Sequence, residues 1–425
     1  MDLRKVEENE GVVTSTLGGD GGKCEVDSSR ALQSFLDHIP IDTIPGIRNS
    51  SPVLEIKSDD CVQDAISLLY DKNVSGAPIV GNVNSDLKEF VDRDIGFIEF
   101  SSMVLWCLEE FDKVKVESKN NYLGFLSVLE QTSKIGRTKI GELAKSFLWE
   151  PFFPVQAADS LFHVLMLFSK HHRLKIVPVV ESSNSCVIGF ITQSAVLQLL
   201  LQSSGLEWFD QIAEKALREF GFMNAGGFVH VFADQSLADA LHVLWEKQID
   251  RVAVVERKTA TLMGCVRCSE VYLLLEDESI FNSRKIRELM GNTCNFRCLT
   301  IDEFIKKSNA VRSDPGTNSS AEKARASIGA LCLKNEFLPQ MGTPTTNRKT
   351  DTLKQAMENL VASGSDCTFL VNQSGQLEGV VTLGDIISEF SPPCMDSRID
   401  GGGFFKSALE QAGCHVEDGM MIRKH

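Results

Sequence analysis

Apolar residues recur at positions i, i+3, i+4 and i+7 in four places along the chain. The sets are Val62, Ala65, Ile66 and Leu69; Leu161, Val164, Leu165 and Phe168; Leu237, Ala240, Leu241 and Leu244; and Leu353, Ala356, Met357 and Leu360. At 3.6 residues per turn each set forms one stripe, which predicts an amphipathic helix with a single face to bury. Asp60, Asp159 and Asp351 stand two residues before the first member of their sets, and Asp234 stands three before. A carboxylate there can accept from the free N–H groups of a first helical turn, so these aspartates are the expected caps.

Each predicted helix is followed by a short apolar run with strand character: APIV (77–80), IVPVV (176–180), RVAVV (251–255) and CTFLV (367–371). A glycine then opens the expected second strand, in GFIEF (96–100), GFITQ (189–193), GCVRC (264–268) and GVVTL (379–383), and apolar segments such as SAVLQLLLQ (194–202) and GDIISEF (384–390) continue as helices. From helix anchor to glycine the spacing is 34, 28, 27 and 26 residues, the first being lengthened by the polar insert NVNSDLKEFVDRD (82–94). Order and spacing together indicate an internal repeat. A helix–strand–strand–helix unit cannot cover its own small sheet, whereas two such units can close a core. The expected fold is therefore α/β (α+β), with repeats one and two forming one pair and repeats three and four the other.

The chain has 425 residues, 43% of them hydrophobic, and a net charge of -15. That is enough apolar material for two or three compact units. The acidity disfavours general binding to nucleic acid or to anionic membranes. The start, MDLRKVEENEGVV, lacks a secretory pattern and no run reaches 18 apolar residues, so the expectation is a soluble protein of the cytoplasm, with the nucleus as a second location. The twelve cysteines are scattered and read as reduced core residues. Cys265-x-x-Cys268 and Cys294-x-x-x-Cys298 have zinc-like spacing. Because Cys265 and Cys268 are expected on one strand, where residues three apart face opposite sides, free thiols and no metal are expected. No nucleophile elbow, P-loop, HExxH or kinase catalytic set occurs, so no enzymatic activity is expected. The expected organisation is a disordered tail (1–30), repeat one (31–110), repeat two (140–205), a linker helix with repeat three (206–280), a helical or loop insert (281–335), repeat four (336–392) and a C-terminal tail (393–425), in which FFKSALEQAG is a short helix candidate.

The pattern of strand, glycine, strand and [Ser/Thr]-x-x-Asp, complete in GVVTLGDII (379–387), resembles the CBS module. The stretches ALQSFLDHIPIDTIP (31–45), SSGLEWFDQIAEKALREFGF (203–222) and FLWEPFFPVQAADSLFHVLMLFSKHHRLKIVPVV (147–180) are similar to segments of plant sucrose-non-fermenting-related (AMPK-type) kinase gamma subunits. The resemblance implies two CBS pairs (Bateman modules) in a disc-like arrangement. It also implies a non-catalytic role beside a kinase catalytic alpha subunit and a scaffold beta subunit, in energy and carbohydrate signalling. AMP, ADP or ATP would be the ligand, with no required cofactor. The alternative is a stand-alone CBS protein that binds an adenosyl ligand and regulates another enzyme.

The resemblance further implies that the motif aspartate accepts from ribose hydroxyls and that basic residues beside the first strand face phosphates. Carried over residue by residue, the ligand-binding candidates are Thr382, Asp385, Arg251, Thr192 and Lys175. Only repeat four carries the full motif. Repeat two has Thr192 with Ala195, repeat three has Arg267 with Glu270, and repeat one has Glu99 with Ser102. On the phosphate side Asp250 precedes Arg251 and repeat four offers Asp366 and Cys367. Thr382 and Asp385 are equally suited to capping the helix that follows them, and KHHR (170–173) reads as a solvated helix end.

Overall fold

The structure is a computed structural model that describes residues 31–44, 47, 53–81, 96–114, 125–146, 153–171, 174–181, 187–222, 228–276, 299–312, 331–334, 339–391, 414–417 and 420–423. The expected N-terminal tail, the polar insert 82–94, Cys294, Cys298 and the candidate helix FFKSALEQAG lie outside these residues.

Each repeat holds a three-stranded sheet in which a short leading strand runs parallel to the middle strand and the last strand runs antiparallel to it. Repeat one contains β1 (Ile56–Lys57), β2 (Gly76–Val80) and β3 (Gly96–Glu99). Repeat two contains β4 (Val155–Gln156), β5 (Ile176–Val180) and β6 (Val187–Thr192). Repeat three contains β7 (His230–Phe232), β8 (Arg251–Val255) and β9 (Leu262–Arg267). Repeat four contains β10 (Thr346–Asn347), β11 (Cys367–Val371) and β12 (Leu377–Thr382). The helices Val62–Asp71, Leu161–Lys170, Leu237–Lys247 and Leu353–Ser363 bury all four members of each apolar stripe. Fully burying a Val, Leu or Ile side chain contributes about 1.5–3 kcal/mol, so these stripes fix the rotation of each helix on its sheet. At the end of the described chain β13 (Cys414–Glu417) and β14 (Met420–Arg423) form a two-stranded antiparallel sheet.

Two local expectations are corrected. The aspartates do not cap the helices. The cap positions are Cys61, Ser160, Ser236 and Thr352, and the Ser236 and Thr352 hydroxyls accept from the N–H three residues on. Asp60, Asp159 and Asp351 instead fold back to accept from the N–H of Lys57, Gln156 and Arg348 at 2.8–2.9 Å, closing the turn between leading strand and helix. Gln235 does the same for Phe232 at 2.7 Å, which frees Asp234 to pair with Arg257. The glycines of repeats two to four lie inside the last strand rather than at its start. Gly189, Gly264 and Gly379 pair with Val179, Val254 and Leu370, and in each repeat a bulge at the residue just before the glycine interrupts the register. The bulge lets the ladder continue, so these strands begin two residues earlier than expected.

The sheets make the expected pairs. Phe97 of repeat one meets Phe190 of repeat two edge to face, with ring centroids 5.7 Å apart. Ala253, Val255 and Cys265 of repeat three share a small core with Cys367, Phe369 and Leu377 of repeat four. The helices then join the pairs crosswise. One large core runs through repeats one and three, with Phe100–Val114 packed on Leu237–Lys247. The other runs through repeats two and four, with Leu383–Glu389 packed on Leu161–Lys170 and Gln193–Leu201. The four repeats therefore close a ring in the order one, two, four, three.

Candidate functional site

The sheet register brings two positions of every repeat side by side. Gly76 pairs with Glu99, Ile176 with Thr192, Arg251 with Arg267, and Cys367 with Thr382. The residue before each middle strand, namely Ser75, Lys175, Asp250 and Asp366, accepts through its carbonyl from the N–H that follows the last strand, at 2.7–3.2 Å. Ser75, Lys175, Asp250 and Asp366 are thus structural equivalents, as are Glu99, Thr192, Arg267 and Thr382.

Side chains from these positions meet where the four repeats join. Lys175 Nζ lies 3.0 Å from Glu99 Oε2 and 2.6 Å from Asp250 Oδ1. Arg251 Nη1 lies 2.5 Å from Asp366 Oδ1, and its Nη2 is 3.7 Å from Asp250 Oδ2. Lys175 and Arg251, two of the candidate ligand residues, are thereby brought together, Lys175 held by carboxylates of repeats one and three and Arg251 by carboxylates of repeats three and four. Burial alone would push the Asp250 carboxyl up, but Lys175 and Arg251 outweigh it and hold the group below its ordinary value. Burial likewise works against the Arg251 charge, yet Asp366, Cys367 and Asp250 raise its pKa. Glu99, Asp250 and Asp366 entered the sequence reading only as departures from a motif. The signal for their role was their coincidence with the two structurally equivalent positions.

Thr382 ends β12 and Asp385 lies in the first turn of the helix Leu383–Glu389, and the two form a capping box. Asp385 Oδ2 accepts from the Thr382 N–H and hydroxyl, both at 2.8 Å, while the Thr382 hydroxyl accepts from the Asp385 N–H at 3.2 Å. The helix-capping reading is thus realised, and among the described residues no hydrogen bond engages Asp385 Oδ1. Thr192 caps its own helix by accepting from the Ala195 N–H at 3.2 Å. In repeat three the equivalent motif positions are closed by an internal ion pair. Arg267 Nη1 lies 2.8 Å from Glu270 Oε1, the side chains are 5% and 0% exposed, and Arg267 Nη2 donates to the Pro339 carbonyl at 2.9 Å.

The zinc-like cysteines do not share a strand. Cys265 lies in β9 and Cys268 begins the 3-10 turn Cys268–Glu270, and both are buried free thiols. Burial raises both, and it raises Cys367 to about 12 even though Arg251 pulls the other way. Among the described residues no cluster could hold a metal ion, and no helix is long and apolar enough to cross a membrane.

This geometry defines a protein of four CBS repeats arranged as two pairs. The family model for the CBS domain matches residues 144–202 and 348–392. The chain is similar to the SNF1-related protein kinase regulatory subunit gamma-1 of Arabidopsis thaliana, at 25% identity over 395 residues, covering 87% of this chain and 85% of that protein. The gamma-1-like subunit of the same plant is 23% identical over 429 residues, with 85% and 88% coverage. Among solved structures, protein MJ1225 of Methanocaldococcus jannaschii, described as an archaeal homologue of g-AMPK, superposes with a TM-score of 0.51 at 14% identity, covering 81% of this chain and 98% of that one. The resemblance to plant kinase gamma subunits thus extends over most of the chain.

Proposed function

We propose that this chain is the non-catalytic, gamma-type subunit of a heterotrimeric plant energy- and sugar-responsive Ser/Thr protein kinase. One observation carries the reading: similarity to a regulatory gamma subunit runs through 87% of this chain and 85% of that protein, and it spans the connecting segments as well as the repeats. Those segments are built into the ring. Residues 31–44 bridge to repeat two through Pro40 and Ser160, and the segment containing Glu207–Ala213 bridges to repeat four through Ala216 and Thr352. A protein using CBS repeats for another purpose has no need of the same connections. The partners are a kinase alpha subunit and a scaffold beta subunit, in the cytoplasm and nucleus. The ligand of this reading is an adenine nucleotide, with Thr382 and Asp385 at its ribose; of the other candidates, Arg251 and Lys175 are engaged by carboxylates and Thr192 caps its own helix.

The test is co-expression with plant alpha and beta subunits followed by size-exclusion chromatography. Co-elution as a stoichiometric complex is the expected result. If the chain elutes alone while alpha and beta assemble with a known gamma subunit, the reading fails. The second reading, a free-standing CBS regulator with an adenosyl ligand, then takes its place, favoured by the complete motif at Thr382 and Asp385.

A further inference from the structure

The charged groups at the ring centre come from all four repeats. Lys175 of repeat two is held by Glu99 of repeat one and Asp250 of repeat three, and Arg251 of repeat three is held by Asp366 of repeat four. The Arg251 side chain is only 12% exposed, and a guanidinium so withdrawn from water has to be compensated. Two kinds of group can do this: an anion taken from solution, or a carboxylate of the chain itself. Here the chain brings three carboxylates to two cations, which leaves one net negative charge at the ring centre. Repeat three repeats the device on its own, since Arg267 and Glu270 fill their two positions with each other.

We propose that Glu99, Asp250 and Asp366 stand in for an anionic ligand, fastening the four repeats without one and closing the ring centre to polyphosphates. A ligand held at Thr382 and Asp385 is then recognised as a nucleoside, through its ribose diol, and its phosphates add no affinity. Only this last step rests on the ligand reading given above.

Inorganic tripolyphosphate, titrated calorimetrically into the full chain, tests the proposal. The wild-type chain shows no binding at millimolar probe. The variant Asp250→Asn/Asp366→Asn, which keeps side-chain shape and removes two negative charges, gains binding. Adding Lys175→Met to it weakens that gained binding at least tenfold. Circular dichroism melts establish that each variant is folded; should the double variant not fold, Asp366→Asn alone, at a side chain 49% exposed, carries the same comparison. Wild-type binding that Lys175→Met weakens tenfold, or a folded Asn variant that gains nothing, overturns the proposal. Adenosine and AMP read the nucleoside step separately. Equal affinities support it, and tenfold tighter AMP overturns it. If neither binds, the Thr382 and Asp385 reading falls while the tripolyphosphate result stands.

Discussion

Ion pairs in this protein differ in what surrounds them, and that decides their worth. Arg257 grips Asp234 through two 2.9 Å hydrogen bonds, but both side chains are more than half exposed, and solvent screens such a pair to little net stability. Arg267 and Glu270 are in the opposite situation. Withdrawing both charges from water costs roughly what their attraction returns, whereas deleting one leaves the other bare. Arg267→Met is therefore expected to destabilise the chain by about 3–5 kcal/mol. The double variant Arg267→Met/Glu270→Leu, which removes both charges and keeps the volume apolar, should recover most of that loss. Urea unfolding of the two single variants and the double variant closes the cycle. Additive losses would mean that each side chain acts through its own packing and not through the pair.

At the level of elements, the glycine that follows the bulge has different jobs in repeats three and four. A Cβ on Gly264 would lie 2.5 Å from the Met341 carbonyl oxygen, the atom that accepts from the Cys265 N–H at 2.9 Å. A Cβ on Gly379 would meet only the Leu370 side chain, at 3.4 Å. Gly264→Ala must push a backbone segment away and should cost about 1–3 kcal/mol, while Gly379→Ala should stay within about 0.5 kcal/mol of wild type. Thermal melts of the two variants decide this, and equal losses would refute the contact argument. Sequence alone marked both glycines and the four helix stripes, because a 3.6-residue period over two turns is long enough to read. It did not mark the leading strands. Two residues such as Ile56–Lys57 or Val155–Gln156 have no period, although they precede their helices at the same interval. The aspartates were given the wrong bond because an acidic residue just before a helix suits either the first turn or the preceding loop, and only geometry chooses. In the site, the Thr382 and Asp385 motif was legible as a local string. The Lys175–Glu99 pair, 76 residues apart in sequence, depends on how separate repeats meet and leaves no local trace.

The whole molecule is held by two kinds of interface at right angles in the chain's logic. Sheets join neighbours in sequence, one with two and three with four, and helices join one with three and two with four. The connecting segments are exchanged within each half. Residues 31–44 support repeat two and residues 125–146 support repeat one, through the Pro40–Ser160 and Cys61–Lys139 bridges. In the second half the segment containing Ala216 supports repeat four and that containing Thr300 supports repeat three. The halves are also tied through backbone, since Val74 bridges Cys332 and the Ser75 N–H donates to the Leu331 carbonyl at 2.9 Å, and each half is incomplete in its core, since the apolar faces of helices such as Phe100–Val114 and Gln193–Leu201 are buried against the other half. A chain divided between Ser204 and Gly205 should therefore reassemble. Fragments 1–204 and 205–425, co-expressed, are expected to co-elute at the mass of one full chain. Either fragment alone should self-associate or aggregate through its uncovered helix face, because an apolar surface of that extent does not stay in water. Light scattering coupled to size-exclusion chromatography reads the outcome. A single fragment that runs as a monomer and melts cooperatively would show that one pair suffices for a core, and that the crosswise helix contacts merely dock two finished domains.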